Sequence, residues 1–123
     1  MEVLSSRVIV TPRDFAASRT FYEHTLGLAV FREWRVGVAF HLGGGVLELT
    51  AFEDPAGDAA ALRLWLQVRD VEAEQARLLA AGVAIHQPAQ TMPWGLVECW
   101  LRDPDGVEIR LVEIPPDHPL RRR

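Results

Sequence analysis

The sequence predicts an α+β fold made of two tandem βαβββ modules. Three observations carry this. Two amphipathic segments with helix start and stop residues lie at Asp14–Leu26 and Asp70–Ala81. Strand-like runs surround each in one order, one before the helix and three after it. A fixed offset relates the halves, since Asp14 and Asp70 stand 56 residues apart, as do Arg7 and Arg63. Recurrence at a fixed offset is the mark of a repeated supersecondary unit, and 123 residues suit one domain or two small modules sharing a core.

In the first helix Asp14 can accept from the free N–H groups of the opening turn, and Gly27 can take the left-handed position after the last turn. Phe15, Ser18, Phe21, Tyr22 and Leu26 give it one mostly apolar face. In the second, Asp70 caps and Gly82 ends the helix, with Val71, Gln75, Leu78 and Leu79 at packed-helix spacing. The strand runs are Arg7–Thr11, Leu28–Trp34, Val36–Leu42, Val46–Phe52, Leu62–Val68, Val83–His86, Leu96–Arg102 and Val107–Ile114. Gly43-Gly44-Gly45 marks one hairpin. Asp103-Pro104-Asp105-Gly106 marks another, as a type I turn with Pro at its second position. The small, polar stretch Glu53–Ala61 is the linker candidate. The expected boundaries are module one at 1–53, linker at 54–61, module two at 62–115 and a tail at 116–123.

Composition narrows the function classes. Apolar residues make up 49% and charged residues 24%, the mixture of a globular protein. The formal charge is −4, and outside the terminal Arg121-Arg122-Arg123 there is no basic cluster. That argues against nucleic acid as partner, because phosphate neutralisation needs grouped cations. A single cysteine, Cys99, excludes an intrachain disulfide and a Cys-based zinc cluster. No membrane span or export signal is legible, and all 13 basic residues are Arg, so a bacterial, cytoplasmic protein is the expectation.

Strand alternation divides the side chains into two sets. Val8, Val10, Leu47, Leu49, Leu64, Leu66, Val68, Ile109 and Leu111 are uniformly aliphatic and should pack under the helices. Arg7, Ile9, Thr11, Val46, Glu48, Thr50, Arg63, Trp65, Gln67, Glu108, Arg110 and Val112 form a mixed set. Open water suits Trp65 and Ile9 poorly, and a sealed core suits three Arg side chains worse. A polar-floored cavity for a small molecule satisfies both.

The stretches VTPRDFAASRTFYEHTLGLAVF (10–31), GGGVLELTAF (43–52) and LRDPDGVEIRLVE (101–113) resemble the vicinal oxygen chelate superfamily, which includes glyoxalase I, extradiol dioxygenases and bleomycin-resistance proteins. The resemblance covers essentially the whole chain. It implies paired βαβββ modules whose eight strands form a curled sheet around a cavity, usually in homodimers. It also implies four metal-binding side chains, typically His and Glu, on the first and last strands of each module. Position by position these fall on Arg7, Glu48, Arg63 and Arg110. Three of the four are Arg, which offers no lone pair and stays protonated, so the expectation is no metal or other cofactor and no standard glyoxalase or dioxygenase activity.

Two readings of Arg7, Arg63 and Arg110 with Glu48 and Glu108 stay open: a salt-bridge network filling a former metal site, or an anion-binding site. Arg suits bidentate oxyanion recognition. Trp65 and Trp100 share the mixed set and Trp94 lies in a turn-like stretch, so all three are candidate ligand-stacking groups. His41 and His86 are candidate bases, and Cys99 has the parity of a core residue. The ligand-binding set is therefore Arg7, Glu48, Arg63, Trp65, Trp94, Trp100 and Arg110, with Glu48 the one catalytic candidate. The function expected is metal-independent binding or sequestration of a small molecule by a homodimer, with a planar ligand bearing an anionic group as the candidate. The alternatives are a lyase or isomerase with a metal-free or non-standard site, and an interaction module with a filled cavity.

Overall fold

A computed structural model of the chain describes residues 2–51 and 62–121. Module one runs β1 (Arg7–Val10), α1 (Phe15–Thr20) continued by a π-helical turn (Phe21–Thr25), β2 (Val30–Trp34), β3 (Gly37–Leu42) and β4 (Gly45–Thr50). Module two runs β5 (Arg63–Gln67), α2 (Val71–Ala80), β6 (Ile85–Thr91), β7 (Val97–Arg102) and β8 (Glu108–Glu113), then a 3-10 turn at Pro119–Arg121. Each module has its own four-stranded sheet, ordered β1-β4-β3-β2 and β5-β8-β7-β6. The first strand pairs parallel with the last, and the others pair antiparallel. The chain divides into two compact units at Asp58/Ala59. The linker expected at 54–61 lies outside the described residues, as do Arg122 and Arg123.

Both helices start where a side chain can satisfy the first turn. Asp14 and Asp70 are extended and accept from the amides of Ala17 and Ala73, each at 3.0 Å. The first helix was expected as one α-helix to Leu26. Instead Leu26 N–H reaches back five residues to Phe21 C=O at 2.7 Å. The wider turn brings adjacent Phe21 and Tyr22 closer to one face, and both are buried, Tyr22 completely. The tilted Tyr22 and Phe40 rings lie 6.3 Å apart, anchoring α1 on β3.

Most of the aliphatic set is where alternation puts it; Val8, Leu66 and Val68 are half-buried, and Val112 of the mixed set is buried as well, in a cluster with Leu96 and Ile114. Val38, Phe40, Leu47 and Leu49 are buried in module one, and α1 packs on β4. In module two Leu64, Cys99, Leu101, Ile109 and Leu111 are buried, and α2 packs on β6, β7 and β8 with Val71 and Leu78 inward. Each such aliphatic side chain contributes about 1.5–3 kcal/mol. Glu113 Oε1 accepts Val71 N–H at 3.0 Å, fastening the start of α2 to the end of β8.

One strand departs from expectation. Val83–His86 is short of the true β6, Ile85–Thr91. Its sequence IHQPAQT is poor in strand formers and contains a proline, and its pairing with β7 is irregular between Ile85 and Gln90. An edge strand tolerates Pro88 because one side of it needs no ladder hydrogen bonds.

In module one Trp34 stands opposite Gly37, with the Arg32 guanidinium 5.2 Å from the Trp34 ring centroid. A Cβ on Gly37 would lie 2.5 Å from Trp34 Cζ2 and 2.7 Å from Leu49 O. Gly37→Ala is expected to cost about 1–3 kcal/mol, the range for overpacking. Gly44→Ala, where a Cβ meets nothing within 4 Å, should change stability by less than about 0.5 kcal/mol. Urea titration of both variants checks the contrast.

Candidate functional site

On the face of each sheet turned away from its helix, the charged residues sit on the paired first and last strands. In module one Arg7 stands opposite Val46 and Ile9 opposite Glu48. Arg7 reaches diagonally, its Nη1 donating to Glu48 Oε1 at 2.8 Å. His41, across from Val46, meets the Phe31 ring at 5.0 Å.

The same two register positions in module two are Arg63 opposite Glu108 and Trp65 opposite Arg110. Trp100 of β7 lies on the other side of Arg110. A row Trp65–Arg110–Trp100 therefore crosses three strands, with the Arg110 guanidinium carbon 3.9 Å from the Trp100 ring centroid. At that distance the cation meets the negative face of the indole. Trp65 leaves half its surface open.

Glu108 is the hub of this face. Its Oε2 accepts from Arg63 Nε at 3.1 Å and from Arg110 Nε at 2.8 Å. Its Oε1 lies 3.3 Å from His86 Nε2. Both guanidinium groups bind Glu108 through Nε. Their terminal nitrogens have no hydrogen-bond partner among the described residues. The Arg63 side chain is 59% exposed and that of Arg110 26%, so both forks remain open to a further acceptor.

A second carboxylate stands behind the row. Glu98 is buried, its Oε2 accepting Trp94 Nε1–H at 2.7 Å and its Oε1 accepting Trp100 Nε1–H at 2.8 Å. The Trp94 carbonyl lies 3.0 Å from His118 Nε2. The turn after β7 that sets the register is built by Asp103, whose Oδ1 accepts from the Asp105 and Val107 amides at 2.8 Å each, with Gly106 at φ +90°.

Thus the chain brings together Arg63, Trp65, Trp100 and Arg110 on one face, links Trp94 to Trp100 through Glu98, and pairs Arg7 with Glu48. Cys99 is fully buried, and burial pushes its thiol pKa up, so it is a core residue and no nucleophile. The contact of His86 with Glu108 is not legible in the sequence, because the β6 pairing is irregular at Ile85–Gln87 and spacing does not give its register. Sequence reasoning also gave Glu98 no role of its own. The available signal was parity with Trp100 and the four-residue step from Trp94 across a tight turn.

Residues 5–111 match the family described as the Glyoxalase/Bleomycin resistance protein/Dioxygenase superfamily. The chain belongs to this superfamily. Among solved structures it is similar to TnmS3, an antibiotic binding protein from Streptomyces sp. CB03234, at 24% identity over 93% of this chain and 98% of that one, with TM-score 0.78. TioX from Micromonospora sp. ML1 matches at 21% identity over 90% and 98%, TM-score 0.75. Lactoylglutathione lyase from Agrobacterium tumefaciens matches at 18% identity over 92% and 94%, TM-score 0.72. No curated protein matches the chain. At these identities the structural likenesses establish the fold alone.

The metal that the superfamily implies does not fit the residues present. Of the four corresponding positions only Glu48 carries a donor, and it is engaged by Arg7. A guanidinium has no lone pair to give. Among the described residues no group of three or more His, Cys, Asp and Glu side chains could hold a metal ion.

The hub position of Glu108 generates a stability ordering. Arg63→Ala removes one exposed partner and leaves Arg110 in place, so it should cost about 0–1 kcal/mol. Glu108→Ala removes the acceptor shared by both arginines and should cost about 1–3 kcal/mol. Urea titrations at pH 7 check the order.

Proposed function

We propose that this chain is a metal-independent small-molecule binding protein that holds a planar ligand bearing an anionic group on the mixed face of module two. The observation that carries this reading is the pair of guanidinium forks of Arg63 and Arg110, held at Nε by Glu108, beside the half-exposed Trp65. An oxyanion would accept from the free terminal nitrogens while an aromatic body stacks on Trp65. Similarity to an antibiotic binding protein supports the binding role. A homodimer is part of the same reading, since each sheet has two edge strands that a second copy would cover. Arg7 and Glu48 bind each other and serve this reading as a structural pair.

Naphthalene-2-carboxylate is a suitable probe, followed by calorimetry with the wild-type chain. A charge-assisted hydrogen bond contributes roughly 1.5–3 kcal/mol and a stacking contact roughly 0.5–1.5 kcal/mol. Arg63→Ala should therefore weaken binding by about one to two powers of ten, and Trp65→Ala by less. Absence of saturable binding, or equal affinity in both variants, overturns the planar-anion reading.

Elemental analysis of the purified protein should return no stoichiometric nickel, zinc, iron or manganese. About one metal per chain, lost in Glu48→Ala, would replace the binding reading with a metal enzyme of unusual ligands.

A further inference from the structure

Glu98 is a carboxylate with 2% of its surface exposed, and among the described residues no Arg or His forms a hydrogen bond or ion pair with it. An ionised carboxylate in such a place is costly unless strong donors replace the lost water. Its two oxygens are matched one to one with two indole N–H groups, at 2.7 Å from Trp94 and 2.8 Å from Trp100. These hydrogen bonds fix the planes of both rings. The Trp100 plane in turn carries the Arg110 guanidinium at 3.9 Å. The Trp94 turn is held a second time, through its carbonyl, by His118.

We propose that Glu98 is the positioning residue of the module-two face: one buried carboxylate orients Trp94 and Trp100, and through the π face of Trp100 it orients Arg110. That a ligand meets these oriented groups rests on the binding reading above. Glu98 touches no ligand in this scheme, because it is buried and its two oxygens face the Trp94 and Trp100 indoles. Two acceptor oxygens are what the arrangement uses. A side chain that merely filled the space between β7 and the Trp94 turn could be an amide of the same shape.

The test is Glu98→Gln, which keeps shape and volume but replaces one acceptor oxygen by an amino group. That amino group would face an indole N–H, donor against donor. In a proton–nitrogen correlation spectrum the four indole N–H signals of Trp34, Trp65, Trp94 and Trp100 are assigned by single Trp→Phe variants. Glu98→Gln should shift the Trp94 and Trp100 signals and leave those of Trp34 and Trp65 in place. The Arg110 Nε–H signal should move with Trp100, since it lies near the ring face. Affinity for naphthalene-2-carboxylate should fall about tenfold in the same variant, the equivalent of one lost well-placed contact.

Unchanged Trp94 and Trp100 signals in Glu98→Gln overturn the proposal. If that variant fails to fold, solvent exchange in the wild-type chain decides. The Trp94 and Trp100 indole protons should exchange more slowly than that of Trp65, and equal rates overturn the proposal. A wild-type chain that ignores naphthalene-2-carboxylate but shows the expected indole pattern removes the ligand reading and leaves the positioning role standing. Normal indole signatures with unaltered affinity in Glu98→Gln would overturn the positioning role and spare the ligand reading.

Discussion

A β-strand sends alternate side chains to opposite faces, and in each module one of those faces is closed by a helix. Apart from Glu113, which caps the start of α2, the ionic residues of β1, β4, β5 and β8 are thereby forced onto the other face, where they must find partners from neighbouring strands. Arg7 finds Glu48, and Arg63 and Arg110 share Glu108. The aliphatic sides of the same strands make the two helices dock. One periodicity therefore sets both the core and the polar surface, and a one-residue slip in any strand would exchange them.

The modules repeat in topology and differ in chemistry. At the two register positions where β1 meets β4 the partners are Val46 and Glu48, and where β5 meets β8 they are Glu108 and Arg110. The acid has moved one row and an extra cation has taken its former place. Module one consequently spends its only acid on its only arginine of that strand pair. On the same face module two has one acid, Glu108, between two arginines, with a tryptophan on each side of Arg110. The asymmetry explains why the binding reading rests on module two.

Much of this was legible in the sequence. Asp14 and Asp70 mark helix starts because their side chains can meet unsatisfied amides, and a left-handed residue after each helix all but requires glycine, as at Gly27 and Gly82. Parity alone separated Leu47 and Leu49 from Glu48, and Ile109 and Leu111 from Arg110. The failures have physical causes. The extent of β6 depends on pairing with β7, which overrides the weak strand preference of Gln87, Pro88 and Gln90. The π-helical turn at Phe21–Thr25 coincides with the burial of two adjacent aromatic rings, a tertiary feature with no local pattern. The roles of Glu98 and His86 depend on where a tight turn and an irregular edge strand carry their partners, which spacing cannot specify.

The strand order has a kinetic consequence. In each sheet the strand made last, β4 or β8, lies inside the sheet, between the first strand and β3 or β7. As the chain leaves the ribosome, β1 has no neighbour until β4 emerges, and β5 none until β8 follows. Joining them closes a loop of roughly 40 residues, an entropic cost met before the parallel ladder rewards it. The helix and the β2–β3 hairpin join residues close in sequence, whereas the ladders Arg7–Val10 with Val46–Leu49 and Arg63–Gln67 with Glu108–Val112 carry the longest closure of each half. The rows that carry the ionic groups therefore rest on the most entropically costly closure in each half, one that nearby contacts cannot replace.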